Sequence, residues 1–487
     1  MTSNFNLIRR QLLGLVFLGG LIMIPALIYG LAFNEKQYVS GLLLTSLACL
    51  VLGGVGAFAN KDISVKIKAR DSYTIVLASW LLMIGLGTLP YYLSGMGYSF
   101  VDCIFESTAG FTTCNSWVLD VDTMPKALLL WKATSNWIGG MGIVLLTIML
   151  LSSRGSTGQK LAEAEVPGPQ LVKSSARMYH VAKITYFSYA LLSLIEFLLL
   201  KLGGIPSFDA LINTMSSIST AGLVDYKGGV SSNFTPYIKT VLIVFSIIAS
   251  MNFLVYIKFL SGRIKEAFMD YELRVFLGLL AGSTVFVASA LMVSGQYDNF
   301  AKALIDGGTG VVSFGCTTGF NIDNLSTWPS ACKLVLLVLM IIGGCANSTC
   351  GGIKVIRSVV FAKLVRRGVF KRIHPRSVKP IMIEGEPISA GNASSISTYI
   401  LIFFGVYLFG ALVFSFENLD METTLSGPLA LLTNTGTGFG ATTMGNFALF
   451  KPYTKLFGSL LMLAGRLEIY AILIVFSRSF WYADRVK

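Results

Sequence analysis

Asp102-Cys103-Ile104-Phe105-Glu106-Ser107-Thr108-Ala109-Gly110-Phe111-Thr112-Thr113-Cys114-Asn115 is the stretch on which the fold turns. It reads as a short helix running into a hydroxyl-rich loop, Thr112-Thr113-Cys114-Asn115, and it never completes a membrane span. Three more segments share this design. They end in Ser219-Thr220-Ala221-Gly222, Cys316-Thr317-Thr318-Gly319 and Thr435-Gly436-Thr437-Gly438, and a long apolar run follows each. Asp102, Asp209 and Asp306 each stand 13 residues before the last loop residue, Asn115, Gly222 and Gly319. In that register Ile104-Phe105-Glu106-Ser107 overlies Leu211-Ile212-Asn213-Thr214. A rival register lays Thr108-Ala109-Gly110-Phe111 over Thr220-Ala221-Gly222-Leu223, but it shortens the first half-helix and breaks these matches. The fourth copy, Leu425 to Gly438, keeps the loop and drops the acid.

Irregular backbone at membrane depth is tolerated only where it lines a water-filled cavity, because lipid offers no partner to N–H and C=O groups. The rest of the chain supplies the membrane setting. Of 487 residues 54% are hydrophobic and 13% charged, with a mean hydropathy of +0.70, which excludes an ordinary soluble domain. Ten apolar runs are long enough to span, at 12–33, 39–59, 73–95, 127–152, 182–203, 234–261, 272–296, 331–360, 393–416 and 455–480. Arg9 and Arg10 precede the first, which we read as a span rather than a signal peptide because its apolar stretch is long and no small-residue cleavage site follows.

The net charge of +13 points to the membrane surface rather than to nucleic acid. Lys and Arg collect in alternate connections: Arg9 and Arg10; Lys61 to Arg70; Arg154 to Arg177; Lys354 to Lys379; Arg478 to Lys487. The positive-inside rule makes these cytoplasmic, and ten spans then leave both termini cytoplasmic. Asp102, Glu106, Asp120, Asp122, Asp209, Asp225, Asp306, Asp323, Asp420 and Glu422 fall in the intervening segments. They predict an acidic outer mouth that concentrates cations. Seven cysteines and two histidines, His180 and His374, support neither a disulfide framework nor a zinc site, although Cys103 and Cys114 share one outer segment.

The fold expected is an all-α membrane protein in which four span, pore-helix, span repeats surround one axis. The predicted divisions are an accessory N-terminal hairpin at 1–60 and repeats at 61–160, 161–265, 266–385 and 386–487. Carbonyls aimed at that axis replace the hydration shell of a cation. Gly allows the dihedrals this requires, Thr and Ser add hydroxyl oxygens, and the half-helix turns its partially negative end inward. No nucleophile, base and orienter set appears among the spans, so an enzyme is not expected. A secondary transporter with alternating access would carry inverted repeats, whereas these copies run in one direction.

The chain resembles the Trk/Ktr/HKT superfamily of cation transporters over essentially its whole length, in particular the TrkH/TrkG-type potassium-uptake subunits of bacteria. The loops carry the likeness together with Asp102 to Gly110, Trp137-Ile138-Gly139-Gly140-Met141-Gly142-Ile143, the run from Gly343 to Arg357, and Gly465-Arg466-Leu467-Glu468. The resemblance implies K+ as the transported ion, with no organic cofactor on this chain. It also implies a homodimer with one pore per protomer, working in the inner membrane with a cytosolic nucleotide-binding gating ring.

Within 331–360 the Gly343-Gly344 and Gly351-Gly352 pairs flank Asn347, Ser348 and Thr349. Gly pairs are poor helix material, so a break is predicted, and the resemblance makes it an intramembrane loop that obstructs permeation. Arg466 lies some ten residues into the last span, too deep to reach the surface easily, and intramembrane charges are functional candidates. The resemblance gives it a role beside the axis. Glu468, two residues on, faces another side of the helix and is not its partner. Glu196 and Lys132 are also intramembrane on this map. The stretch from Lys354 to Lys379 has nine basic residues and no acid, suited to lipid headgroups or to an acidic regulatory surface.

One departure from the superfamily pattern stands out. Gly is usual at the centre of every filter loop, and Asn115 occupies that place in the first. Asn tolerates left-handed dihedrals, and its amide is expected near the axis. Potassium remains the leading expectation, with a sodium-permeable or non-selective pore as the alternative.

Overall fold

The computed structural model describes residues 5–33, 35, 37–59, 69–143, 178–222, 234–320, 325–376 and 380–476. The basic connections at 60–68, 144–177 and 477–487, and Asp225 and Asp323 of the expected acidic mouth, lie outside these residues. The described chain is almost entirely helical. Its sole sheet is a two-residue antiparallel pair, β1 (Met382–Ile383) with β2 (Glu386–Pro387), which the sequence reading did not anticipate.

Helices α1 (Phe5–Ala32) and α2 (Ser40–Ala59) form the expected N-terminal hairpin. Its helices are joined by a hydrogen bond from Ser46 Oγ to the Gly20 carbonyl at 2.9 Å. Four long apolar helices open the four repeats: α3 (Ala69–Tyr92), α6 (Met178–Leu202), α11 (Tyr271–Val293) and α15 (Ala390–Ser415). With α1, these are the five described helices long and apolar enough to cross a membrane unbroken.

A short helix follows each opening helix: α4 (Phe100–Thr112), α7 (Ser207–Ile218), α12 (Phe300–Gly315) and α16 (Met421–Leu432). At 1.5 Å per residue they extend only about 18–24 Å. Their starts are set by local chemistry. Ser99 accepts the Asp102 N–H, Asn299 that of Ala301 and Asp420 that of Thr423, at 3.2, 2.8 and 2.9 Å, while Pro206 precedes α7. Side-chain caps of this kind satisfy N–H groups that the first turn leaves orphaned. The C-terminal halves of all four are buried, and their apolar side chains make the packed centre of the molecule.

The closing helix of every repeat stops beneath these short helices. In the first repeat α5 (Lys126–Met141) ends where Gly142 has φ 91°. In the second, α8 (Pro236–Ala249) and α9 (Phe253–Leu260) meet at a bend of 96°, and α10 (Ile264–Phe268) leads to the third repeat. The third divides into α13 (Ser330–Ile342) and α14 (Val355–Ile373). The fourth divides into α17 (Pro452–Arg466) and α18 (Tyr470–Phe476), with Glu468 and Ile469 at φ 57° and 47°. The sequence predicted continuous spans at 127–152, 234–261 and 455–480 and a break only within 331–360. The described parts correct this. Where no Gly pair announces a break, the cause is tertiary. A Cβ on Gly465, for instance, would stand 2.0 Å from the Leu432 carbonyl oxygen, so α17 lies hard against the end of α16.

Candidate functional site

The four short helices end in one backbone conformation. Thr113, Thr220, Thr317 and Asn434 follow the helical residues in the left-handed region, at φ 56°, 56°, 49° and 55°. Such a conformation costs a non-Gly residue about 1–2 kcal/mol, and it survives where surrounding contacts impose it. Two residues on, the N–H of Gly222, Gly319 and Gly436 turns back to the carbonyl six positions earlier, on Ser216, Ser313 and Ala430, at 3.3, 2.9 and 3.0 Å.

This geometry moves the fourth loop. Gly436, at φ 79°, stands with Gly222 at 63° and Gly319 at 68°, so the fourth copy is Thr433-Asn434-Thr435-Gly436 rather than the expected Thr435-Gly436-Thr437-Gly438. Gly438 instead donates its N–H to the Thr442 carbonyl at 3.0 Å. The sequence register was anchored on the leading aspartates, and the fourth copy has none. Asn rather than Thr also occupies its left-handed position, so the hydroxyl pattern pointed two residues too far.

The loops interlock in order. A Cβ on Gly222 would lie 1.9 Å from the Thr318 carbonyl oxygen, one on Gly319 1.9 Å from that of Thr435, and one on Gly436 2.2 Å from the carbonyl carbon of Asn115. Glycine is therefore required by the approach of the next loop as well as by its own φ. Successive contacts run from the second loop to the third, fourth and first, which places the first and third opposite each other. Asn115 does not take the left-handed conformation its tolerance for it suggested. Its side chain is buried, and Nδ2 donates to the Gly319 carbonyl of the opposite loop. That carbonyl also accepts from Thr437 Oγ1 at 2.7 Å, so both its lone pairs are engaged within the protein.

Residues 343–354 press against the helix-facing side of these loops. Gly351 N–H donates to Thr317 Oγ1 at 2.8 Å, Cys350 Sγ to the Cys316 carbonyl at 2.8 Å, and a Cβ on Gly351 would meet the Thr433 oxygen at 1.9 Å. The neck closes with N–H bonds from Ile353 to the Ile341 carbonyl and from Lys354 to that of Ile342, at 2.9 and 2.8 Å. Gly343 and Gly352, at φ 71° and 79°, permit the crossing, since a Cβ on Gly343 would lie 2.3 Å from the Gly351 oxygen. The bend of the second repeat receives the loop. Cys345 N–H donates to Ser250 O at 3.0 Å, Phe253 N–H to Asn347 O at 3.1 Å and Thr349 Oγ1 to Ala249 O at 3.1 Å. Ser348 Oγ closes a local turn onto the Cys345 carbonyl at 2.6 Å. Gly344 packs against the Cys350 side chain.

Charged groups fasten what remains. Glu272 Oε1 accepts the N–H of Ala346 at 2.7 Å and of Ile356 at 3.3 Å, tying both ends of the loop and capping α14, whose own N-cap residue supplies no side-chain bond. Buried Lys354 donates to the Cys350 carbonyl. Arg466 is 8% exposed and reaches three carbonyls, Thr349 at 2.7 Å, Gly139 at 2.6 Å and Gly140 at 2.7 Å. One guanidinium thus joins the first and fourth repeats to the loop of the third. Glu468 pairs with Arg357 at 2.5 Å, and the Arg357 guanidinium lies 4.1 Å from the centre of the Tyr399 ring. The sequence separated Glu468 from Arg466, but Arg357, 111 positions away, could be assigned only once folded.

Four of the acids expected at the mouth, Asp102, Glu106, Asp306 and Glu422, are paired with lysines. The third residue after the start of three closing helices is a lysine, and each meets an acid on the next repeat's short helix, in the first turn for Asp102 and Glu422 and midway along for Asp306. Lys455 lies 2.7 Å from Asp102, Lys333 2.8 Å from Glu422 and Lys239 3.9 Å from Asp306. Glu106 is fully buried, paired with Lys132, and accepts the N–H of Val118 and Leu119 at 3.0 and 3.1 Å. It therefore belongs to the scaffold behind the first loop.

A family model described as TrkH, a cation transport protein, matches residues 40–482. The Trk system potassium uptake protein TrkH of Salmonella typhimurium is 30% identical, with 98% of this chain and 99% of that protein covered. Escherichia coli TrkG, also a Trk system potassium uptake protein, is 28% identical, with 99% of both chains covered. Among solved structures, the potassium transporter TrkH from Vibrio parahaemolyticus superposes with a TM-score of 0.87 at 26% identity, over 98% of this chain and 100% of that one.

Proposed function

The chain belongs to the TrkH family of cation transport proteins, a family of transporters rather than enzymes, and from that premise we propose that it takes up potassium through the axis between its four loops. The observation that carries the reading is their interlocked ring, in which three glycines let each loop approach the next. The K+-binding oxygens are assigned to Thr112–Asn115, Ser219–Gly222, Cys316–Gly319 and Thr433–Gly436. Uptake runs down the electrochemical gradient, in the inner membrane, with both termini cytoplasmic. Loop 343–354 is the gate, a homodimer the assembly, and a nucleotide-binding cytosolic ring its control, for which the exposed basic face of α14 is suited. The test is rescue of a potassium-uptake-deficient strain at low external potassium, with the partner subunit co-expressed and rubidium and sodium fluxes in parallel. Absence of rescue overturns the reading.

A second reading, a sodium-permeable pore, is favoured by one feature. Asn115 occupies one lone pair of the Gly319 carbonyl, which in a four-glycine ring would keep only its bond from Thr437 and have that lone pair left for the ion. Asn115→Gly is expected to raise potassium-over-sodium discrimination about fivefold, the equivalent of one net hydrogen bond of about 1 kcal/mol. Unchanged reversal potentials in the variant would remove Asn115 from selectivity.

Glu272→Ala leaves the N–H of Ala346 and Ile356 without their shared acceptor. Bonds to a charged group contribute about 1.5–3 kcal/mol each; counting only the bond to Ala346 within the loop, at the lower figure, flux without the partner subunit is expected to rise about tenfold. Glu272→Asp, with a shorter reach, should fall between. Equal basal flux in all three proteins would show that the carboxylate does not hold the gate.

A further inference from the structure

Eight charged side chains are buried among the described residues. Seven have evident partners: Glu106 with Lys132, Lys455 with Asp102, Arg357 with Glu468, Glu272 with two backbone N–H groups, and Lys354 and Arg466 with carbonyls. Glu196, on α6, is the exception. It is 0% exposed, and among the described residues neither carboxyl oxygen has a well-formed hydrogen bond.

What faces it is rich in oxygen. Ser217 on α7 is the side chain that interacts with the carboxyl, and its Oγ lies 3.3 Å from Ser246 Oγ on α8. Ser216 Oγ, one residue earlier on α7, is also buried without a partner. The charged groups on the helices packed around α6 are engaged or distant. Asp209 begins α7 at its far end, Lys239 on α8 lies 3.9 Å from Asp306, and Lys258 on α9 lies 3.2 Å from Asp270. On α6 itself Lys183 and Lys201 are exposed, and Tyr189 donates to the Trp137 carbonyl at 3.0 Å. Among the described residues no cation is paired with Glu196, and a bare carboxylate in such surroundings is costly. Hydroxyls and a carboxylate are the ligands that a hard, small cation prefers.

We propose that Glu196, with Ser217 and Ser246, binds a second small cation, a proton or a sodium ion, behind the second loop. The site is coupled to that loop by construction. Ser216 and Ser217 form the last turn of α7, and the Ser216 carbonyl receives the N–H of Ala221 and Gly222 at 2.7 and 3.3 Å. Occupancy therefore acts on the segment that shapes one quarter of the axis. The site rests on the pore reading given above.

Rubidium uptake into cells expressing the full chain and its partner subunit, measured against external pH and separately against external sodium, tests it. Wild type is expected to depend on one of the two, which identifies the cation. Glu196→Gln keeps the size of the side chain and is expected to conduct with that dependence flattened, while Ser217→Ala shifts its midpoint. If Glu196→Gln fails to reach the membrane, an unshifted midpoint in Ser217→Ala overturns the site. A conducting wild type indifferent to both cations, or a Gln variant with wild-type dependence, overturns the site and leaves the pore intact. Absence of rubidium uptake in wild type under every condition defeats the pore, and the site with it.

Discussion

Arg466→Ala is expected to raise cation flux in the absence of the partner subunit by about a hundredfold. The guanidinium is buried and donates to Thr349 in the loop and to Gly139 and Gly140 in the first repeat, all within 2.6–2.7 Å. Charge-assisted bonds contribute about 1.5–3 kcal/mol each, and only the bond to Thr349 directly opposes movement of the loop. The carbonyls of Gly139 and Gly140 hold the guanidinium in place, so part of their contribution is also lost. Roughly 3 kcal/mol of bias toward the closed arrangement is a hundredfold in population. Arg466→Lys keeps the charge but cannot reach three carbonyls as a planar fork does, and it should leak at an intermediate level. Whole-cell or liposome flux without the partner measures both. A leak that is absent in the Ala variant, with the protein correctly inserted, would mean that Arg466 does not fasten the loop.

Lys132→Met is expected to lower stability by about 3–5 kcal/mol, the usual cost of leaving half of a buried ion pair without its partner. Glu106 would then stay fully buried with only the N–H groups of Val118 and Leu119 to balance it. Those bonds fix the segment immediately after the first loop, so the damage should also reach the ring. Glu106→Gln/Lys132→Met removes both charges, and most of the loss is expected to be recovered, as coupled neighbours are not additive. Thermal unfolding in detergent reads both variants. Equal destabilisation in single and double variants would mean that the pair contributes nothing specific.

Much of the arrangement was legible in the chain because it rests on local chemistry. Composition and run length placed the chain in a bilayer. The Asp102, Asp209 and Asp306 spacing marked three short helices with their loops, and the Gly pairs at 343–344 and 351–352 marked a break. Glu468 was correctly separated from Arg466 but for a different reason, because the helix ends at Arg466 and Glu468, in the left-handed region, turns to Arg357. The sequence did not show which acids of the mouth are paired, because acidic residues in outer segments look alike whether solvated or paired. The lysines that meet Asp102, Asp306 and Glu422 come from a different repeat.

The sequence by itself determined that this is a membrane protein with four like-directed loops, one of them carrying Asn115 in place of Gly, because hydropathy, helix length and glycine placement act within a dozen or so neighbouring residues. The tertiary structure alone decided the rest: the two-residue shift of the fourth loop to Gly436, the bend after Ala249, the break after Arg466, and the reach of Asn115 to Gly319. Each depends on contacts between repeats far apart in the chain, where a carbonyl oxygen of one loop fills the space a side chain would need in the next. No local pattern of residues encodes that distance.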